Sequence, residues 1–297
     1  MSLGIPFIVY GGIHVEVGNF FFAKARANPK RVVFPEIEDA RVAAAVSRLK
    51  DDCLCVPVGL SEPSDAQMAA LVDGRGVKEA IARRMLQKPL YRGAAMVAAG
   101  EADVMVAGAD SPTRRVIEAA SLAIGLADGV TTPSSFFLMQ MMNGRQFIFA
   151  DCAVNVSPDA EQLADIARAS AASAQALLGH ADVALLSFST GSSGTGSSVD
   201  LVRSAADMTG YTGPIQADAA LNATIAQKKG LGVGTANVLI FPDLNSGNIA
   251  YKLVQELAGA QAIGPFLQGF AKPVCDLSRG ASIDDIVASA VVTAAMA

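Results

Sequence analysis

The sequence predicts an α/β fold in which helices cover both faces of a mostly parallel sheet. Short runs rich in Val, Ile and Phe alternate along the chain with longer segments whose apolar residues recur at helical spacing. The chain has 297 residues, of which 52% are hydrophobic and 17% charged, enough apolar material for one large domain or two modest ones. This composition excludes a disordered or fibrous protein.

Each predicted strand is followed by a predicted helix. The first strand covers residues 31–34, and the helix after it, at residues 39–49, carries Val42, Ala45 and Leu49 on one face. Four more pairs repeat this order: 104–107 with 113–126, 147–150 with 159–178, 183–188 with 199–208, and 238–241 with 248–258. Because βα units of this kind pair their strands in parallel, the expected sheet is largely parallel.

The helix predicted at residues 159–178 has clear signals at both ends. Ser157 is the expected N-cap, Pro158 the expected first helical residue, and Asp159 complements the helix dipole. Gly179 follows the last apolar pair, where a helix commonly ends.

Charge and composition exclude several classes of function. The net charge of −5 and the 6% of aromatic residues, with no Trp, argue against nucleic-acid binding, which favours a basic face. The longest apolar runs, 3–13 and 286–297, are shorter than the ~20 residues of a membrane-spanning helix. No basic residue precedes the first run, so a secretory leader is not expected. Four cysteines in so long a chain do not form a disulfide framework, and the expected location is the cytoplasm.

The common motifs of metal and triad enzymes are absent from the sequence. Cys53 and Cys55 are a lone close pair, and the two histidines, His14 and His180, lie far apart. Neither a zinc site nor a Ser/His/Asp triad is therefore predicted. The sequence also lacks G-x-S-x-G, H-E-x-x-H and a Walker motif. The chemistry must then depend on the positioning of substrates.

Three loops that follow or precede predicted strands carry hydroxyl or amide groups. Residues 190–197 place hydroxyls and backbone N–H groups at a helix start, which suits a phosphate, although a tight turn explains the same pattern. In residues 241–248, Asn245 and Asn248 are neutral donors that could instead serve turns and caps. Residues 131–135 offer a cluster of hydroxyls that a helix start or strand entry would explain equally well.

A fourth loop, residues 276–280, combines a hydroxyl with a permanently charged guanidinium. Ser278 and Arg279 lie just before a helix for which Ser282 is the expected N-cap, and a helix N-terminus beside an Arg suits phosphate. Asp285 follows Ser282 by three residues, so a capping box explains its position and spacing alone favours that role.

The chain resembles the phosphate acetyl/butyryltransferase family from about residue 20 to its C-terminus. The matching segments are 31–36 (RVVFPE), 38–42 (EDARV), 100–103 (GEAD), 107–109 (AGA), 151–155 (DCAVN), 158–165 (PDAEQLAD), 189–196 (STGSSGTG), 241–248 (FPDLNSGN), 263–265 (IGP), 267–269 (LQG), 272–273 (KP) and 276–280 (DLSRG). The combination of the segments from 189–196 to the C-terminus is the part of the match that is most specific for this family. Residues 1–19 match nothing in the family and are expected to be irregular or nonnative.

The resemblance implies an architecture like that of isocitrate and isopropylmalate dehydrogenases. Two α/β domains with mostly parallel sheets flanked by helices enclose the active cleft. Domain I would comprise residues 1–127 and 271–297, and domain II, residues 128–270, would be inserted in it and form most of a homodimer interface. The implied reaction interconverts acetyl-CoA plus phosphate and CoA plus acetyl phosphate through a ternary complex. CoA and acetyl-CoA are then substrates, and no metal or bound cofactor is implied.

The family's functional residues transfer to matching positions. Asp285 corresponds to the base for the CoA thiol, Arg279 to the phosphate-holding Arg, and Ser278 to the hydroxyl that stabilises developing charge. These roles fit the chemistry, because a thiol must lose its proton before it attacks an acyl phosphate. The expected substrate-binding residues are Arg115, Thr132, Ser134, Ser135, Thr190, Gly191, Ser192, Asn245, Asn248 and Gln268.

One departure bears on activity. Residues 111–118 read SPTRRVIE where the family has a motif like HSTADTLR, so Glu118 replaces an Arg. A carboxylate there, if it faced a bound phosphate, would impair the enzyme. Two alternatives are therefore kept beside the acetyltransferase: an enzyme that prefers propionyl or butyryl groups, and a catalytically impaired module that binds acyl-CoA for regulation.

Overall fold

The computed structural model describes residues 16–60 and 62–297. The apolar run at 3–13, His14 and most of the unmatched start lie outside the described residues, and the first helix begins at Glu16. The strands are β1 Arg31–Val33, β2 Val56–Val58, β3 Val104–Ala107, β4 Ser134–Gln140, β5 Gln146–Ala150, β6 Val183–Leu186, β7 Thr212–Ile215, β8 Val238–Ile240, β9 Gln261–Gln268 and β10 Val274–Asp276. The helices are α1 Glu16–Ala27, α2 Ala40–Asp51, α3 Asp65–Val72, α4 Glu79–Leu86, α5 Pro89–Ala98, α6 Thr113–Ala123, α7 Ala160–Leu178, α8 Ser197–Thr209, α9 Ala217–Leu221, α10 Ala223–Lys229, α11 Leu244–Ala258 and α12 Ile283–Ala295.

One sheet runs through the described part of the chain in the order β2-β1-β3-β10-β9-β4-β5-β8-β6-β7. Both outer parts are parallel, as predicted, but β9 is antiparallel to β10 and to β4, and β4 is antiparallel to β5. As a result, β2, β1, β3 and β10 run in one direction and β5, β8, β6 and β7 in the other. The two parallel parts therefore present their carboxyl ends at opposite edges of the sheet.

Helices cover both faces of the sheet. On one face, α1, α2, α7, α8 and α12 pack over a core that includes Leu49, Leu163 and Val291, all at most 1% exposed. The other face carries two smaller cores, one under α3 to α6 and one between α9, α11 and the strands β4, β5, β6 and β8. Burial of these apolar side chains is the main stabilising contribution to the fold. The division into two domains at residues 127/128 and 270/271 stays a prediction.

The predicted βα pairs are confirmed, with two corrections at helix starts. The N-cap of α7 is Asp159 rather than Ser157, because Asp159 and Gln162 form a reciprocal capping box that satisfies two N–H groups. Helix α11 begins at Leu244, four residues earlier than predicted, because the Asp243 carboxylate accepts a hydrogen bond from the Ser246 N–H at 2.9 Å. Within residues 16–60 and 62–297, no helix is both long and apolar enough to cross a membrane.

Candidate active site

A cleft of about 380 Å³ lies where the end of β10, the start of β9 and helix α11 meet. Its walls include Thr113 at the start of α6, residues 152–153 after β5, residues 262–265 of β9, residues 276–278 and 280, and Asp285 of α12. Because β9 is antiparallel to β10, the first residues of β9 lie beside the last residues of β10. The reversal in strand direction thus supplies one wall of the cleft.

Two polar side chains fix the loop that carries Ser278 and Arg279. The Arg41 guanidinium donates to the carbonyl oxygens of Arg279 at 2.7 Å, of Ala281 at 3.0 Å and of Ala109 at 2.8 Å, so it ties the segment after β10 to the segment after β3. Asp39, the N-cap of α2, accepts from Arg41 at 2.7 Å, and these hydrogen bonds lower the pKa of the Asp39 carboxyl to about 2. Arg41 therefore positions the loop by its backbone.

The segment after β3 is held by a carboxylate in the same way. Glu36 accepts hydrogen bonds from the backbone N–H groups of Gly108, Ala109 and Ser111 at 2.7–2.8 Å. Gly108 has φ +103°, and a Cβ there would lie 2.5 Å from the Asp276 carboxylate. Glycine is required at this position by both the backbone angle and the available space.

The N-terminus of α12 brings Asp285 to the cleft through a capping box. The Oδ2 atom of Asp285 accepts from the Ser282 N–H at 2.9 Å and from the Ser282 hydroxyl at 2.7 Å, and the Ser282 Oγ accepts from the Asp285 N–H at 3.2 Å. The predicted cap is thereby confirmed. No hydrogen bond from another described residue reaches Oδ1, so this oxygen is available to a ligand.

The side chains of Ser278 and Arg279 are exposed. The Ser278 Oγ accepts from the Gly280 N–H at 3.2 Å, which leaves its proton free to donate. The Arg279 guanidinium makes neither a hydrogen bond nor an ion pair with another described residue. The Ser278 hydroxyl proton, the Arg279 cation and the Asp285 Oδ1 atom, all within the eight residues from 278 to 285, therefore have no partner among the described residues.

Helix α11 forms the opposite wall of the cleft. The Tyr251 ring stacks on Phe137 with centroids 4.1 Å apart, and the ammonium of Lys252 lies 5.0 Å from the Tyr251 ring centroid. The nearby Cys152 is fully buried, and burial together with the Asp151 carboxylate raises the pKa of its thiol. A protonated, buried thiol is a poor nucleophile.

Comparison with known proteins gives the family. The family model described as "Phosphate acetyl/butaryl transferase" matches residues 60–294. The chain belongs to this family. It is 46% identical over 239 residues to a phosphate acetyltransferase of Treponema pallidum, covering 74% of this chain and 71% of that protein. It is 38% identical over 318 residues to a phosphate acetyltransferase of Thermoanaerobacterium thermosaccharolyticum, covering 92% and 97%.

A solved structure agrees with this family. The EutD phosphotransacetylase from Staphylococcus aureus matches with a TM-score of 0.87 and 33% identity, covering 94% of this chain and 98% of that one. Other curated relatives are much longer, and the chain spans only 33% of the phosphate acetyltransferase of Synechocystis and 35% of that of Nitrosomonas europaea.

The fold brings only some of the residues predicted from the family together. Ser278, Asp285 and Asn248 line the cleft, and Arg279 lies between two lining residues. Asn248 donates to the carbonyl oxygen of Cys152 at 3.1 Å from the second turn of α11. Asn245 lies one turn earlier, outside the cleft wall.

The Gly/Ser loop after β6 lies at the other edge of the sheet. Strand β6 runs opposite to β10, so Thr190, Gly191 and Ser192 follow a carboxyl end that faces away from that of β10. The Thr190 hydroxyl donates to Gln216 at 3.2 Å, and its N–H donates to the Ser193 hydroxyl at 2.9 Å, as in an ordinary turn. Their role in substrate binding stays a prediction.

Four other predicted residues are buried and lie away from the cleft wall. Gln268 donates to Ser134 at 2.9 Å and to Ser170 at 2.8 Å, while the Ser135 hydroxyl donates to the Asp151 carboxylate. Thr132 is 5% exposed. These contacts satisfy buried polar groups, which explains their positions without a ligand.

Arg115 lines a second cavity, about 630 Å³ in volume, formed by residues 35–36, 38–39, 88–91 and 110–111. Glu118 lies on the same helix, exposed, and its hydrogen bond to Tyr91 adds to burial in raising the pKa of the tyrosine. Glu118 lies five residues after Thr113, about 140° around the helix and ~7 Å along it. It therefore lies on a different side of α6 from the residue that reaches the cleft.

Sequence reasoning missed several residues around the site. Asp276, Arg41 and Glu36 all lie in segments that match the family, but their contacts are with residues distant in the chain, which spacing does not reveal. The wall formed by Tyr251 and Lys252 carries no sequence motif, since helical spacing alone does not reveal which face of α11 lines a cleft.

Proposed function

We propose that this chain transfers an acetyl group between CoA and phosphate through a ternary complex. The observation that carries the proposal is the capping box of α12, in which Asp285 uses Oδ2 for the cap and keeps Oδ1 free in the cleft that Ser278 also lines. Names of relatives that are 46% and 38% identical support the acetyl group and phosphate as substrates.

In the direction of acetyl-CoA synthesis, Asp285 accepts the proton of the CoA thiol. The thiolate sulfur attacks the carbonyl carbon of acetyl phosphate, and the carbon–oxygen bond to phosphate breaks as the new carbon–sulfur bond is completed. The Ser278 hydroxyl donates to the carbonyl oxygen as it becomes negative, and Arg279 holds the phosphate by charge-assisted hydrogen bonds.

Direct transfer, without an acyl-enzyme, fits the nucleophiles present. Cys152 is the cysteine in the cleft, and its raised thiol pKa keeps it protonated. Ser278 has no histidine base among the described residues that line the cleft. We therefore propose that both substrates are bound when the acetyl group moves.

A second candidate differs in the acyl group. The family description covers the transfer of a four-carbon acyl group as well as acetyl, and the wall of Phe137 and Tyr251 offers apolar surface to a longer chain. The first alternative to the acetyltransferase is therefore an enzyme that prefers propionyl or butyryl groups. The second alternative is a catalytically impaired module that binds acyl-CoA.

We also propose that the enzyme is a homodimer formed largely through residues 128–270. Ile249, Leu253 and Leu257 of α11 are 56%, 51% and 82% exposed, and their spacing of four residues places them along one side of the helix. Leu253→Glu is expected to halve the mass measured by sedimentation at micromolar concentration. Leu122→Glu, at a leucine on α6 that is 41% exposed, is the matched control.

The proposed location is the cytoplasm, which suits four cysteines that are all free thiols. The deciding assay measures acetyl-CoA formed from acetyl phosphate and CoA by the purified chain, with and without chelator. We expect turnover, no effect of the chelator, and lower kcat/KM with propionyl and butyryl phosphate. A chain that binds acetyl-CoA but turns over none of the three acyl phosphates is the regulatory module instead.

A further inference from the structure

A buried carboxyl group lies in the wall of the cleft with one oxygen unpaired. Asp276, the last residue of β10, is 1% exposed, and its Oδ1 has no hydrogen-bond partner among the described residues. Gly108 provides the space that this oxygen occupies. A buried polar atom without a partner costs free energy, so a native protein that keeps one commonly uses it.

We propose that Asp276 is the general acid that gives a proton to the departing phosphate, and that it takes this proton back when phosphate attacks acetyl-CoA. The proposal rests on the proposed function. Asp276 lines the same cleft as Ser278 and Asp285, two residues before the hydroxyl and three before the guanidinium assigned to the phosphate. Thr113, at the start of α6, lines the cleft beside it.

The reaction needs such a proton. When the thiolate displaces phosphate from acetyl phosphate, the electron pair of the broken carbon–oxygen bond stays on the phosphate oxygen, and a phosphate trianion is a poor leaving group. A proton from Asp276 lets the group depart as hydrogen phosphate. Asp285 has meanwhile gained the thiol proton. One proton then leaves Asp285 and one returns to Asp276 from water, which restores the enzyme with no other reactant.

The surroundings make Asp276 hold its proton more tightly than an ordinary aspartic acid, so that it can both give and take a proton in the mildly acidic range. Burial first, and the negative charge of Glu36 second, raise the pKa of its carboxyl to about 6, while the Thr113 hydroxyl acts in the opposite direction. The other charged groups that line the cleft are Asp285 on α12 and Lys252 on α11. The neighbouring strands β3 and β9 contribute no titratable side chain.

The test compares the wild type with Asp276→Asn, which keeps the size of the side chain but cannot transfer a proton. We measure kcat/KM from pH 5 to 9 with acetyl-CoA and phosphate as substrates. For the wild type we expect a rise through about pH 6, as Asp276 loses its proton. For the variant we expect a loss of about 10² to 10⁴ in turnover and no such rise. The ionisation of phosphate itself affects both proteins equally.

Two further variants keep the proposal falsifiable. Asp151→Asn alters another buried carboxylate, one that accepts hydrogen bonds from Asn155, and should lower stability while retaining the rise near pH 6. Thr113→Val removes the group that lowers the pKa of Asp276, so the rise should move to higher pH even if Asp276→Asn does not fold. An active wild type whose pH profile is unchanged by Asp276→Asn, or by Thr113→Val, overturns the role of Asp276. An inactive wild type overturns the proposed function instead.

Discussion

Asp285→Asn separates the two roles that the structure gives to this side chain. An asparagine oxygen can replace Oδ2 as acceptor for the Ser282 N–H and hydroxyl, so the cap is largely kept. Loss of the negative charge at the helix N-terminus should cost at most about 1 kcal/mol, which corresponds to a fall of roughly 2 °C in Tm for a chain of this size. Loss of a general base should instead lower kcat by about 10² to 10⁴.

The assay follows acetyl-CoA formation from acetyl phosphate and CoA at several pH values. We expect the loss to be largest near pH 7 and to shrink as the pH approaches ~8.5, because the thiol then begins to ionise without a base. The pH dependence distinguishes a missing base from a misplaced helix, since a displaced helix would lower the rate at every pH.

Ser282→Ala is the matched control. This change removes the acceptor for the Asp285 N–H and leaves the carboxylate in place, so it should cost about 1 kcal/mol of stability and less than tenfold in kcat. The reasoning is refuted if Asp285→Asn is less stable but catalytically normal. It is equally refuted if Ser282→Ala loses as much activity as Asp285→Asn, since the cap would then be the important feature.

Three other predictions concern charge. Arg279→Ala should raise the KM for acetyl phosphate about 10- to 100-fold and lower kcat, because charge-assisted hydrogen bonds are lost in binding and in the transition state; Arg84→Ala, at an exposed arginine of α4, should change neither. Glu118→Arg should alter the KM for phosphate less than about threefold, because Glu118 lies on another side of α6 from the cleft, and a tenfold improvement would contradict that placement. The folded state holds the Asp276 proton more tightly than the unfolded state, so this residue should lower the free energy of unfolding by up to about 3 kcal/mol as the pH rises from 4 to above 6. Denaturant unfolding of Asp276→Asn at several pH values should lack this decline. If the free energy of unfolding of wild type and variant changed in parallel with pH, the Asp276 carboxyl would have an ordinary pKa.

Local signals in the sequence predicted the local structure well. Hydrophobic spacing located the five βα pairs, and Gly179 marks the end of α7 as expected. The start of α11 was missed because residues 244–247 (LNSG) have the composition of a loop, yet they form the first helical turn. Gly247 is needed there since a Cβ would lie 2.3 Å from the carbonyl oxygen of Asp151. That close approach is a tertiary contact, which composition and spacing do not encode.

The arrangement of the site depends on strand direction, and this explains why the predicted loops divide into two groups. In a sheet with one direction, every loop that follows a strand reaches the same edge, and the loops after β6 and β10 would meet. The antiparallel strands β9 and β4, however, separate two parallel parts that run in opposite directions. The sequences of β4 and β9 contain no turn motif that predicts a change in strand direction. Their buried residues have the same apolar pattern as those of a parallel core strand. The same reversal places the first residues of β9 next to Asp276 and lets α11 extend along the cleft. The feature that sequence reasoning could not detect is therefore the one that builds two walls of the candidate active site.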